Sequence, residues 1–168
     1  MTIRPARPED AAPLAALSIE VWLGTYLKDG ISPFFANYVL AEYTTANVAD
    51  RLADPANTIF VSENSVGPTG YICLTTNRPC PVAGGPTSEI TTLYLQPRHH
   101  GKGIGRDLLS AALTTCQDRM IPTLWLATNA ENHPAIGFYQ ANGFRITGET
   151  AFQIDDASYP NVVLARDI

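Results

Sequence analysis

From Leu95 to Arg106 the chain reads "LQPRHHGKGIGR", which sets three glycines, Gly101, Gly103 and Gly105, at alternate positions around Lys102, directly after a stretch of β-strand character. A strand that ends in a glycine-rich turn and then starts a helix leaves several backbone N–H groups unpaired at the positive end of that helix. Such a turn suits an anion, a phosphate above all. The glycines remove side chains that would block its approach, and Lys102 and Arg106 add positive charge. Two phosphate loops are excluded. Lys102 is followed by Gly103 rather than by the Ser or Thr of a Walker A loop, and Arg106 stands where a dinucleotide fingerprint needs its third glycine. No metal centre is expected, because His99 and His100 are neighbours while His133 lies in another segment. Cys73, Cys80 and Cys116 lack C-x-x-C spacing and read as free thiols, buried or partly so.

The elements that must position this loop follow from periodicity. "TIRPAR" reads as a first strand, Pro8 to about Gly24 as a helix with apolar Leu14, Leu17, Val21 and Trp22, and Pro33 to Tyr43 as a second helix. Thr58–Val61 and Gly70–Thr75 read as a hairpin across the turn-rich "ENSVGPTG". "SEITTLYLQP" is a longer strand whose alternation sets Glu89, Thr91, Leu93 and Leu95 on one face and Ile90, Thr92 and Tyr94 on the other. After the glycines, Ile104, Leu108, Ala112 and Cys116 recur every four residues, with Leu109 and Leu113 beside them, as one stripe of a helix requires. "TLWLAT" is a buried strand, Pro134–Asn142 a helix stopped by Gly143, and "FRITGETAFQI" and "NVVLARDI" two closing strands around the loop "DDASYP". The expected class is α/β: one domain over residues 1–168, with a mixed, mostly antiparallel central sheet and helices on both faces.

Composition narrows the partners. At 168 residues, 45% hydrophobic and 16% charged, the chain can bury the core of one domain, and its net charge of -5 argues against a general nucleic-acid binder, which normally shows a basic face. No apolar run is long enough to span a bilayer, and "MTIRPARPED" lacks the apolar core of a signal peptide, so a cytoplasmic protein is expected.

Two blocks in order carry a family resemblance. "LYLQPRHHGKGIGRDLL" resembles the pyrophosphate loop of the GNAT superfamily of acetyl-CoA-dependent N-acetyltransferases, with Gly103 and Gly105 in the glycine places and His100 where Gln or Arg is usual. "NHPAIGFYQANGF" is similar to that family's N-x-x-A-x-x-F-Y-x-x-x-G-F at Asn132, Ala135, Phe138, Tyr139, Gly143 and Phe144. Over most of its length the chain further resembles bacterial spermidine/spermine-type enzymes. It departs from them at Asn129-Ala130, where they carry a Trp-Glu pair, at Asp155-Asp156, where Gly-Asp is frequent, and at Asn161, where Asp is frequent.

The resemblance implies a GNAT-like fold, acetyl-CoA as cosubstrate and a small-molecule amine as acceptor, with a homodimer left open. It implies that His100, Gly101, Lys102, Gly103, Ile104, Gly105 and Arg106 cradle the pyrophosphate. Leu93, Tyr94 and Leu95 would flank the acyl-pantetheine arm, and Asn132 and Ala135 would touch it. An amine must lose a proton before it attacks a thioester, and Glu89 is the candidate base; the leaving thiolate needs one, and the Tyr139 phenol is the candidate acid. The Leu95 N–H is placed to polarise the acetyl carbonyl. Trp22, Tyr26, Glu89 and Asn129 are expected toward the acceptor, with Trp22 and Tyr26 in an aromatic set that includes Phe34, Phe35 and Tyr38. Glu89, Asp155 and Asp156 form a carboxylate group for the distant ammonium charges of a polyamine. A peptide or protein acetyltransferase and a non-catalytic acyl-CoA sensor are the alternatives.

Overall fold

The computed structural model describes residues 1–27 and 29–168. The strands are β1 (Thr2–Pro5), β2 (Asn57–Glu63), β3 (Pro68–Thr75), β4 (Glu89–Leu95), β5 (Thr123–Asn129), β6 (Arg145–Ile154) and β7 (Ala157–Asp167). The helices are α1 (Ala11–Tyr26), α2 (Pro33–Glu42), α3 (Thr45–Ala53), α4 (Ile104–Asp118) and α5 (His133–Ala141). The strands follow the order β1-β2-β3-β4-β5-β7-β6 in a mixed, mostly antiparallel sheet in which β4 and β5 run parallel. This is the expected α/β class. The chain forms two compact units, Met1–Cys73 with Thr92–Ala112, and Leu74–Thr91 with Leu113–Ile168.

The first unit is built on α1. A 3-10 turn at Pro8–Asp10 leads into the helix, and Asp10 folds back to accept the Arg7 N–H at 2.7 Å. Its carboxylate also takes two parallel bonds from Arg4, 2.7 and 2.8 Å, and Arg4 reaches Glu63 at 2.7 Å, which pins β1 to β2 and to the start of α1. Leu14, Leu17 and Val21 from α1 pack with Val48 of α3, Val61 of β2 and Tyr71 of β3. Ser32 and Thr44 cap α2 and α3 by accepting the N–H three residues on. α3 is an addition to the elements read from periodicity: Val48 is buried and Leu52, one turn on, packs against the same core.

The stripe expected on α4 is realised, with Ile104, Leu108, Leu109, Ala112 and Cys116 all buried. Burial pushes the Cys116 thiol up to about 11, and among the described residues no disulfide joins Cys73, Cys80 or Cys116.

In the second unit, β5, β6 and β7 form a twisted antiparallel platform on which Trp125, Val163 and Ala165 are buried. The closing strands differ from expectation. The six-residue loop "DDASYP" is a two-residue turn at Asp155-Asp156, and β7 runs on through Pro160. Proline is tolerated there because the Pro160 carbonyl faces Ala130, beyond the end of β5, so its missing N–H faces a side with no strand to pair.

No helix among the described residues is long and apolar enough to cross a membrane. No group of three or more His, Cys, Asp or Glu among the described residues could hold a metal ion.

Candidate active site

The first unit carries the glycine loop. β4 ends at Leu95, a 3-10 turn covers Pro97–His99, and Gly103 opens α4 by accepting the Arg106 and Asp107 amides at 2.9 and 3.1 Å. Gly101 and Gly103 hold φ at 73° and 82°, the left-handed region that side-chain-bearing residues rarely adopt, and open space lies where a Cβ would project. Among the described residues, the amides of Gly101, Lys102, Gly103, Ile104 and Gly105 meet no backbone or side-chain acceptor. Five donors thus stand uncommitted at the positive end of a 15-residue helix.

Several side chains hold the loop. Glu20 of α1 accepts the Gln96 side-chain amide at 2.7 Å and the Arg98 guanidinium at 2.6 Å, and neither contact is signalled by the sequence. His100 Nε2 lies 2.9 Å from the Leu95 carbonyl, and Lys102 Nζ donates to the Arg98 carbonyl at 3.0 Å. Arg106 is exposed, and its guanidinium meets no acceptor among the described residues. The His99 ring is held toward its neutral form by burial and by the neighbouring Lys102 and Arg98 charges.

β3 approaches the end of β4 very closely. A Cβ at Gly70 would stand 2.7 Å from the Tyr94 carbonyl oxygen and 2.8 Å from Leu95 Cδ1, so only glycine fits, and the Gln96 N–H pairs with the Thr69 carbonyl at 3.0 Å. Leu93, Tyr94 and Leu95 are half-buried in this stretch. Beneath it the Tyr94 hydroxyl meets that of Tyr43 at 3.1 Å, and burial holds the Tyr94 phenol well above its ordinary range. Trp22 is buried at the centre of the aromatic set, 5.1 Å from Tyr26, 5.6 Å from Phe35 and 5.3 Å from Tyr38 between ring centres. Tyr26 and Phe34 carry its exposed edge.

The second unit holds the groups expected to move protons. Glu89 opens β4 opposite Trp125 and is only 9% exposed, unlike an ordinary strand carboxylate in water. Burial pushes its carboxyl up, and the Arg78 guanidinium, with Nε donating to Oε2 at 3.1 Å, opposes that rise. Tyr139 lies on α5, 7% exposed, its ring 5.3 Å from Phe138 and 5.5 Å from Phe144. Asn132 caps that helix by accepting the Ala135 N–H at 3.3 Å. Asn129 pairs with Asn161 across β5 and β7, and its Oδ1 accepts the Glu131 amide at 2.8 Å.

The acidic group expected for a polyamine is not assembled. Glu89 is level with Trp125, and Trp125 with Ala165 of β7. The Asp155-Asp156 turn precedes Ala165 by nine residues, which at about 3.3 Å each is ~30 Å along that strand. One small amine cannot be held at both places.

The family model described as "Acetyltransferase (GNAT) family" matches residues 25–144. An uncharacterized N-acetyltransferase of Mycobacterium tuberculosis is 29% identical over 133 residues, 79% of this chain and 81% of that protein. The peptidyl-lysine N-acetyltransferase YjaB of Salmonella typhimurium is 28% identical over 164 residues, 98% and 95% of the two chains. Among solved structures, the PaiA N-acetyltransferase of Thermoplasma acidophilum in complex with coenzyme A superposes with a TM-score of 0.78 at 20% identity, covering 100% of both chains.

Proposed function

The chain belongs to the acetyltransferase (GNAT) family, and from that premise we propose that it moves an acetyl group from acetyl-CoA to the primary amine of a small molecule by direct attack in a ternary complex. The observation that carries the proposal is the row of uncommitted amides from Gly101 to Gly105, which offers an anionic cofactor charge-assisted bonds without rearrangement. Coenzyme A in the PaiA structure supports the same cosubstrate here. In this reading Lys102 and Arg106 add charge to the cradle, Leu93, Tyr94 and Leu95 line the acyl arm, and Asn132 and Ala135 are assigned to it by the family resemblance.

In this reading Glu89 takes a proton from the ammonium form of the acceptor, and the freed nitrogen attacks the acetyl carbonyl carbon. The new C–N bond forms as the C–S bond breaks. Negative charge passing through the carbonyl oxygen is met by the Leu95 N–H. The thiolate leaves with the Tyr139 phenolic proton, and Tyr139 is reprotonated from solvent. Glu89 passes its proton to solvent and the nitrogen sheds its second proton to solvent as the amide forms, so one acetamide, one free thiol and one proton result for each ammonium and thioester consumed.

The acceptor class includes polyamines, although their distant charges find no assembled acidic group in the second unit. Tyr26 and Asn129 border the acceptor in this reading, with Trp22 behind Tyr26. A second reading, the lysine side chain of a polypeptide, is favoured by the name of the YjaB relative and its coverage of nearly the whole chain. The test is an acceptor screen with acetyl-CoA, read by thiol release, on the parent and on Gly103→Val. Amine-dependent release is expected from the parent. In the variant, which forces a side chain to φ 82° beside the free amides, acetyl-CoA affinity is expected to fall by at least ~30-fold. Equal affinities would remove the cradle assignment, and turnover of a lysine peptide alone would select the second reading.

A further inference from the structure

Arg78 lies between β3 and β4, in a segment that doubles back on itself. The Arg78 N–H donates to the Thr87 carbonyl at 2.8 Å, and the Cys80 N–H to the Pro86 carbonyl at 2.9 Å, so residues 78–87 form a small hairpin. That hairpin is seated firmly. Its Val82 and Cys80 pack against Trp125, Val163 and Ala165, and a Cβ at Gly148 would stand 2.6 Å from Val82 Cγ2. A Cβ at Gly85 would collide with Cys80 at 2.7 Å, which keeps the two arms of the hairpin close. The Trp125 indole, which is buried, donates its Nε1–H to the Arg78 carbonyl at 2.8 Å. Both backbone polar groups of Arg78 are therefore fixed, one by the hairpin and one by β5, and its side chain reaches back to Glu89 Oε2.

The two oxygens of Glu89 differ. Oε2 is held by Arg78, whereas Oε1 meets no donor among the described residues and is not sealed from solvent. We propose that Arg78 is a positioning residue for acetyl transfer: it clamps Oε2 so that Oε1 faces the acceptor. The same guanidinium favours the charged carboxylate, against burial. The inference rests on the reading of Glu89 as the base. Trp125 beside Glu89 on β5 is uncharged, and Ser88 before it on the chain is a hydroxyl. Arg78 is the charged group that acts on this carboxyl, and burial is the opposing influence. The Arg78 side chain is 60% exposed, so its removal opens no cavity, and its charge acts partly screened.

The experiment is the pH profile of kcat/KM for the parent, Arg78→Gln, Arg78→Lys, Glu89→Gln and the double variant Arg78→Gln/Glu89→Gln. Losing a neighbouring cation raises a carboxyl pKa, so the acid limb of Arg78→Gln is expected to move to higher pH by about one unit, and activity below the limb to fall about 10-fold. Arg78→Lys should recover most of the shift, since it restores the charge without the guanidinium geometry. Acetyl-CoA affinity and melting temperature should stay at the parent values, which separates positioning from unfolding. In the Glu89→Gln background, removing Arg78 should cost nothing further. An unmoved acid limb in Arg78→Gln, alongside an impaired Glu89→Gln, overturns the role of Arg78 and leaves the base standing. Full activity in Glu89→Gln overturns both.

Discussion

His100 Nε2 sits 2.9 Å from the carbonyl oxygen of Leu95, closing the five-residue span between the last residue of β4 and the glycines of the loop. A carbonyl can only accept, so Nε2 carries the hydrogen of this bond. The His100 ring therefore ties the end of β4 to the start of the glycine loop, ahead of the uncommitted amides. His100→Gln, which keeps a donor, should bind acetyl-CoA like the parent. His100→Ala should bind it about 5-fold more weakly, the order of one exposed hydrogen bond, with little change in melting temperature. Calorimetric titration of the two variants decides this, and equal weakening in both would assign the effect to the ring rather than to the bond.

Tyr139→Phe separates packing from chemistry. The ring contacts with Phe138 and Phe144 survive in the variant, so folding should be retained. Deleting only the hydroxyl should lower kcat by about 10-fold to 1000-fold and leave acetyl-CoA affinity unchanged. An unaltered rate under conditions where chemistry limits turnover would return Tyr139 to the core.

Asp10 sets an acid limit on stability. Its hydrogen bonds from Arg4 hold its carboxyl below the usual range, with the Arg7 amide adding to the effect and burial opposing it. A depressed folded-state pKa means stability that is complete above the unfolded value, about 4, and is lost as pH falls through the folded value. The parent should therefore lose stability progressively below about pH 4. Asp10→Asn should flatten that slope and cost about 3 kcal/mol at pH 7, toward the lower end for a broken buried pair because Glu63 still holds Arg4. Urea unfolding at a series of pH values measures both, and an unchanged slope in the variant would show that Asp10 contributes nothing to the acid limb.

What the sequence discloses is local, and what it hides is contact between distant segments. The α4 stripe is written in the four-residue recurrence from Ile104 to Cys116, and the row of uncommitted amides in the alternating glycines, because both follow from backbone geometry alone. Glu20 lies 76 residues from Gln96 and 78 from Arg98, so nothing in its spacing marks it as the anchor of the loop. The same holds for Arg78, whose partner Glu89 is visible as a candidate base while the hairpin that delivers the guanidinium reads only as a Pro- and Gly-rich connection. The carboxylate group of Glu89, Asp155 and Asp156 failed for a related reason. Acidic residues can be counted in a sequence, but strand register decides whether they meet, and the β5–β7 pairing sets them far apart.

The acceptor prediction follows from where the carboxylates are already committed. On the first unit, Glu20 is paired with Arg98 and Glu42 with Arg51, and the exposed edge of the aromatic set is Tyr26 and Phe34. On the second, Glu89 is paired with Arg78, and the Asp155-Asp156 turn lies far along β7. A polyamine gains over a monoamine only where spare negative charge holds its distant ammonium groups, and that gain is screened by salt. With those carboxylates neutralised by arginine or remote, a simple monoamine should be acetylated with kcat/KM within about 3-fold of spermidine. Raising ionic strength from ~0.05 to 0.5 M should change spermidine turnover less than about 2-fold. Initial rates for spermidine, spermine, a short diamine, a monoamine and a lysine peptide, each at both salt concentrations, make the comparison. Spermidine favoured by more than about 10-fold, with the advantage erased by salt, would mean that carboxylates outside these pairs hold the polyamine and that the acceptor assignment is wrong.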